Sequence, residues 1–235
     1  MLSTSERKKK NFTKYLLPAH GAELKKYDEL YELFCAEGYT KDLCDQYADE
    51  FVNNVKKPAV EDIVQTAKLY DKIHDKDSAS FYLSMLEDRK LSGEDKFGYC
   101  IEMLKNLSKA GKWRDAEDFR TEHINFMQNF AQKRSPQEQA DMYIALALTD
   151  CAAKRYTEAF KLLKFGYKPQ GKNDTKLLEI LTTGVYIFAC AGDSDGLASA
   201  VGNAQSCVKL FTGFEHPWCH DYYEKCIDEA AESII

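Results

Sequence analysis

Residues 166–172, GYKPQGK, have the spacing of the glycine-rich loop that binds nucleotide phosphates. Such a loop follows a strand, and a Ser or Thr hydroxyl directly after its lysine ligates Mg²⁺. In this chain Asn173 stands where that hydroxyl is required, and residues 159–164 before the loop have a helical pattern. We therefore predict an ordinary interhelical loop that binds no nucleotide.

Histidine and cysteine side chains gather near the C-terminus, at His216, Cys219, His220 and Cys226. Zinc sites usually take ligands from closely spaced pairs such as CxxC, and the chain contains no CxxC pair. On a helix that begins at Pro217, Cys219 and His220 point about 100° apart. We predict buried cysteines beside surface histidines, with no metal and no other cofactor.

Residues 192–196, GDSDG, place a serine between two aspartates. A calcium loop needs a further acidic position and a closing Glu, and both are missing. A nucleophilic serine needs a sharp turn at a strand end and a base beside it. Because the five histidines of the chain also form no convergent pair, we predict no catalytic residues and no enzymatic activity.

The charge of the 235-residue chain is uneven. The net charge is −6, but residues 1–26 hold seven Lys or Arg and two acids (+5), which leaves −11 for the remainder. This balance argues against a broadly basic nucleic-acid surface. Residues 1–18 predict a basic N-terminal arm, which either contacts an acidic partner, serves as a targeting patch or is a solvated tail.

Eight cysteines and 44% hydrophobic residues fit a folded protein that needs no disulfides. No apolar stretch follows the charges at the N-terminus, so we predict no secretory signal. No uncharged apolar run approaches the ~20 residues that cross a bilayer, so we predict no membrane span. We expect reduced, mostly buried cysteines in a cytoplasmic protein.

Apolar residues recur at steps of three and four throughout the chain, which indicates helices. The pattern is seen in Leu24, Tyr27, Tyr31 and Phe34; in Ile63, Ala67 and Tyr70; in Phe97, Ile101, Leu104 and Leu107; and in Leu178, Leu181, Val185 and Phe188. We find no alternating run of strand length. The chain is predicted to be all-α, with about eleven helices.

Several helix ends have recognisable chemistry. Ser135 and Glu138 flank a proline and predict a capping box at a helix start. Gly111, Gly166 and Gly192 each follow an apolar periodic stretch, where a left-handed glycine closes a helix.

The turns between helices form a degenerate repeat. Five turn segments begin at residues 37, 75, 111, 154 and 192, which lie 38, 36, 43 and 38 residues apart. An aromatic residue stands two places after three of these starts, at Tyr39, Trp113 and Tyr156. Small residues stand five places after two of them, at Ala116 and Ala159. A period of this length is typical of stacked helical hairpins.

Residues 108–117 (SKAGKWRDAE) and 154–160 (KRYTEAF) resemble the tetratricopeptide family, and residues 166–169 and 189–193 resemble its pentatricopeptide relatives. The resemblance covers about residues 20–212. It implies a right-handed α-solenoid of about five helical hairpins in one domain, residues 19–235, with a capping helix over 217–235. An irregular helical bundle with coincidental spacing is the alternative.

In tetratricopeptide proteins the first helix of each hairpin lines a concave face. By register, the resemblance assigns this face to Tyr27, Tyr31, Asp62, Gln65, Ile101, Lys105, Asp141, Ile144, Thr182 and Tyr186. Family members that clamp a peptide carboxylate use Lys, Asn and Arg there, whereas this chain has a single Lys. Pentatricopeptide relatives read RNA bases at positions where this chain has Ile101, Ile144 and Thr182, and an Ile cannot hydrogen-bond a base edge.

These observations predict a non-catalytic interaction module or scaffold subunit that binds a basic or apolar peptide, or a partner's helix, in this groove. One alternative is a regulatory or sensor protein that binds a small peptide or other ligand. Another is an RNA-associated solenoid that uses Arg7–Lys10 of the basic arm. A further alternative is that several of these groove side chains pack between hairpins.

Overall fold

The structure is a computed structural model that describes residues 24–166, 168, 174–214 and 216–233, without the side chains of residues 24–27 and 165. These residues form eleven α-helices and one short π-helical segment, and no strand occurs among them. The all-α prediction is therefore confirmed for this part of the chain. The predicted basic arm, residues 1–18, and the side chain of Tyr27 lie outside it.

The helices are short and closely spaced. They are α1 (Leu24–Glu37), α2 (Lys41–Ala48) with the π segment Asp49–Asn53, α3 (Val60–Lys72), α4 (Lys76–Ser84), α5 (Gly93–Lys109), α6 (Trp113–Ala131), α7 (Pro136–Ala152), α8 (Tyr156–Gly166), α9 (Thr175–Ala191), α10 (Ser194–Leu210) and α11 (Trp218–Glu232). The chain divides into two compact units, and the boundary, between Glu102 and Met103, falls inside α5.

Unit one contains α1 to α4 and the first part of α5. Its helices α2, α3 and α4 pack in succession around an apolar core. Tyrosine hydroxyls donate hydrogen bonds to side chains elsewhere in this unit: Tyr47 to Asp62 (3.2 Å), Tyr70 to Asp45 (2.5 Å) and Tyr82 to Asn53 (3.2 Å). These bonds satisfy polar groups next to the core and fix how the helices are placed against each other.

Unit two is organised around α7, in which ten of seventeen residues are buried. This helix packs against α6, α8 and α9, so it is apolar on nearly every side. A first core cluster, between α7, α8 and α9, contains Ile144, Ala147, Leu148, Cys151, Ala159, Leu163 and Ile187. A second core cluster, between α9, α10 and α11, contains Leu178, Val185, Ala204, Val208, Phe211, Ile227 and Ala230.

The predicted helix over 217–235 is present as α11, which packs on α9 and α10 through Ile227 and Ala230. The predicted capping box is also present. Glu138 N donates to Ser135 Oγ (3.3 Å), and Ser135 N donates to Glu138 Oε2 (3.0 Å).

Four of the five predicted turn segments contain one residue with positive φ, and in the remaining case such a residue directly precedes the segment. These residues are Gly38, His74, Gly111, Lys154 and Gly192, with φ between 60° and 78°. At the last four, the following backbone N–H donates to the carbonyl five residues earlier, at 2.8–3.3 Å. The helix ends before these four turns therefore share one conformation, the Schellman motif.

The prediction of a left-handed helix end at Gly166 is wrong. Gly166 is the last residue of α8 and is absent from the residues with positive φ. A Cβ at this position would lie 2.3 Å from Cγ of Tyr143, so close packing against that ring explains the glycine. Packing, rather than backbone conformation, requires a small residue here.

We predict that Lys154→Gly stabilises the protein by ~0.5–1 kcal/mol, because a left-handed conformation strains a residue with a Cβ. Lys161→Gly is the control, because it makes the same change on the exposed surface of α8. There we expect the glycine to destabilise the protein by ~1 kcal/mol. Urea denaturation of both variants and the wild type measures the difference. Destabilisation by Lys154→Gly would contradict the turn conformation.

Candidate functional site

In unit one, two of the residues assigned to the groove are buried and a third is half-buried. Asp62 and Gln65 on α3 are only 5% and 7% exposed, and Asp62 Oδ1 accepts the hydrogen bond from the Tyr47 hydroxyl. Tyr31 on α1 is half-buried. The carboxylate of Asp62 therefore holds a core tyrosine in place.

In unit two, α7 and α9 lie side by side and bring together side chains from distant parts of the chain. Lys176 Nζ donates to Asp141 Oδ1 at 2.7 Å and also forms an ion pair with Glu179. The side chain of Lys176 is only 14% exposed, whereas each carboxylate is about twice as exposed. One lysine thus lies between two carboxylates, and the group has a net charge of −1.

Of the remaining groove residues of unit two, Ile144 is only 5% exposed and lies in the first core cluster rather than on an open face. Thr182 Oγ1 donates to Leu178 O (2.9 Å), and Lys105 on α5 is half-buried. Tyr186 on α9 packs against both core clusters. The residue is half-buried, so the Tyr186→Ala substitution would remove core contacts as well as exposed surface.

Lys176, Glu179, Thr183 and Tyr186 follow each other at steps of three and four, so they share one stripe of α9. Asp141 of α7 is joined to this stripe through Lys176. We call these five residues the Asp141–Lys176 face.

Electrostatics hold the centre of this face in one charge state. Burial lowers the pKa of Lys176, but the neighbouring Glu179 and Asp141 carboxylates outweigh burial and raise it overall. The lysine is therefore charged at neutral pH. Burial, followed by the proximity of Cys190, raises the pKa of Tyr186, so its hydroxyl remains neutral.

Sequence reasoning identified Asp141 but missed Lys176 and Glu179. The i, i+3 spacing of Lys176 and Glu179 was the available signal, since such pairs meet on a helix surface. Their convergence on Asp141 needs the packing of α9 on α7, 35 residues away in sequence.

A second charged group ties α6 to α7 and the turn that follows α7. Asp150 is 3% exposed, and its Oδ1 accepts hydrogen bonds from Arg120 Nη1 (2.7 Å) and Arg155 Nε (2.9 Å). Arg155 also donates to Glu117 Oε1 at 2.5 Å. The bond to Glu117, followed by Asp150, raises the pKa of Arg155 in spite of its burial. These groups neutralise each other within the fold.

The histidine and cysteine cluster near the C-terminus is arranged differently from a cysteine-based metal site. His220 Nδ1 lies 3.5 Å from Asp221 Oδ1 and 3.7 Å from Glu224 Oε2 on the surface of α11. Cys219 and Cys226 are half-buried, and the His216 ring stacks on Trp218. Both carboxylates approach the same imidazole nitrogen, and the three side chains lie close enough to one another to hold a metal ion, so the expected absence of a metal stays a prediction.

No helix in the described part of the chain is long and apolar enough to cross a membrane. No family model matches this chain, and no match was found among curated proteins or solved structures.

We predict that Lys176→Met destabilises the protein by ~1–3 kcal/mol, because it leaves Asp141 and Glu179 without their shared counterion. Lys161→Met is the control, since it removes an exposed pair with Glu158 that is worth under ~1 kcal/mol. Chemical denaturation at neutral pH compares the two. Equal, small effects would mean that the buried lysine contributes little to the packing of α7 on α9.

Proposed function

We propose that the chain is a non-catalytic protein-interaction module, in which stacked helical hairpins bind a basic or apolar segment of a partner. The proposed stacking of hairpins is supported by which helices of unit two pack against each other. Helices α7 and α8 pack as one hairpin, α9 and α10 pack as the next, and α9 contacts both helices of the hairpin before it. This is the pattern expected of a right-handed tetratricopeptide-like solenoid.

The repeated turns support the same proposal. Four turns share one hydrogen-bonding pattern, and their left-handed residues lie 37, 43 and 38 residues apart. Ala116 and Ala159, which stand at equivalent places after two of these turns, are both fully buried. Small residues at these places allow neighbouring helices to approach closely.

The observation that carries the binding proposal is the Asp141–Lys176 face. It lies on α7 and α9, which are the first helices of the fourth and fifth hairpins. Its cation is held by two carboxylates, so the face offers a partner excess negative charge beside a tyrosine edge. A basic or amphipathic segment complements such a surface.

The proposed location is the cytoplasm. All eight cysteines are free thiols in the structure, which is the state that cytosolic proteins maintain.

We predict that Thr183→Lys weakens partner binding about fivefold or more, because it adds a like charge to a face that receives a basic segment. Thr183 is half-buried on α9, and a lysine stem can extend from it toward solvent. Thr121→Lys is the matched control, since it makes the same change on an exposed position of α6. The measurement is affinity purification of each tagged full-length chain from its native lysate, quantified by mass spectrometry.

Melting curves first establish that both variants are folded. Recovery of one protein by wild type and Thr121→Lys, but not by Thr183→Lys, would agree with the proposal. Equal recovery by all three would place the binding surface elsewhere. A small peptide or other ligand in place of a protein partner would favour the sensor function.

A further inference from the structure

Two cysteines occupy equivalent positions at the ends of neighbouring helices. Cys151 is the second-to-last residue of α7, and Cys190 is the second-to-last residue of α9. Helices α7 and α9 pack against each other, and both of these C-terminal ends lie at the first core cluster. The two cysteines are 39 positions apart in sequence, which is about one repeat.

The two side chains pack in the same region of the core. Cys151 belongs to the first core cluster, and Cys190 packs against that cluster. The Tyr156 hydroxyl donates to the carbonyl of Cys190 at 2.9 Å, which fastens the end of α9 to the start of α8. The shared cluster and this hydrogen bond therefore hold the ends of α7 and α9 at the start of α8.

The two cysteines differ in how far they are exposed to solvent. Cys151 is 3% exposed, whereas Cys190 is half-buried. A small oxidant therefore reaches Cys190 first, and Cys151 is already positioned as the second thiol. A resolving cysteine next to an accessible one is the arrangement that reversible thiol oxidation requires.

We propose that Cys151 and Cys190 form a reversible disulfide that links the fourth hairpin to the fifth, with a hydroperoxide as the oxidant. The Cys190 thiolate attacks the peroxide, the O–O bond breaks, and sulfenic acid and hydroxide form. The sulfur of Cys151 then attacks the sulfenic sulfur, the S–O bond breaks, and a second hydroxide leaves. In total, two thiols and one hydrogen peroxide give one disulfide and two waters.

The reaction depends on pH. Hydrogen bonding to Cys190, together with burial, raises the pKa of Cys151, which keeps this thiol protonated at neutral pH. The thiolate is the reactive form, so disulfide formation becomes faster as the pH rises. The thiol form also explains why the pair packs as small apolar residues while it is reduced.

The disulfide would change how α7 and α9 move relative to each other. Tyr186 lies one turn before Cys190, on the Asp141–Lys176 face. A covalent link at the ends of both helices restricts that face, so a binding partner would encounter a more rigid surface after oxidation. The disulfide itself does not depend on the proposed binding function.

The experiment treats the reduced full-length protein with hydrogen peroxide, alkylates the remaining thiols and maps peptides without reduction. We expect a cross-linked peptide that contains Cys151 and Cys190, formed faster at mildly alkaline pH than at neutral pH. We also expect the melting temperature to rise by about 5 °C or more and to return with dithiothreitol.

Cys190→Ser is expected to abolish both the cross-link and the rise in melting temperature. Cys207→Ser, at a half-buried cysteine of the second core cluster, is expected to preserve both. Should Cys190→Ser prove unstable when reduced, the wild-type peptide map decides alone. Recovery of Cys151 and Cys190 as separate alkylated or over-oxidised residues, or in disulfides with other cysteines, would overturn the proposal.

Discussion

Unit two buries one carboxylate within α7, the helix that has the most buried residues. Asp150 lies near the end of α7, where almost no solvent reaches it. An unpaired buried carboxylate costs several kcal/mol, and in this core Arg120 and Arg155 both pair with Asp150 and offset that cost. The same two arginines belong to α6 and to the turn before α8. The requirement to neutralise one charge therefore sets the positions of three successive helices.

Helix α9 is joined to α7 by a similar group of opposite charges, which is less deeply buried. Lys176 of α9 is mostly buried, and it is held by Asp141 of α7 and by Glu179 of its own helix. Unlike Asp150, this group reaches the surface, because both carboxylates are partly exposed. It therefore contributes both to the packing of α9 on α7 and to the charge of the face that we assign to binding. Tyr186 has a similar dual role, since it packs against both core clusters and borders that face.

In the proposed solenoid, α11 has the place of the terminal helix that protects the last apolar surface. Ile227 and Ala230 cover the second core cluster, while the opposite side of the helix carries the exposed Asp221 and Lys225. One apolar side and one polar side are what a terminal helix requires.

Much of the helical organisation could be predicted because its causes lie within a few residues of each other. The capping box at Ser135 and the left-handed ends at Gly111 and Gly192 involve contacts of three to five residues. Gly166 shows the limit of such reasoning. It follows a helical pattern as the other two glycines do, but the side chain that demands its small size is Tyr143, more than twenty positions earlier.

The site was predicted less completely, for the same physical reason. The repeat register predicted that Asp62 and Asp141 both lie on an open face. In the structure, Asp62 accepts a hydrogen bond from a core tyrosine, whereas Asp141 accepts one from a lysine of α9. The sequence by itself determined the helical period, the helix ends and the spacing of the turns, since each arises from contacts along one short stretch of backbone. Only the tertiary structure decided which charges are paired and which thiols share a core cluster, because those partners come from helices that are distant in sequence.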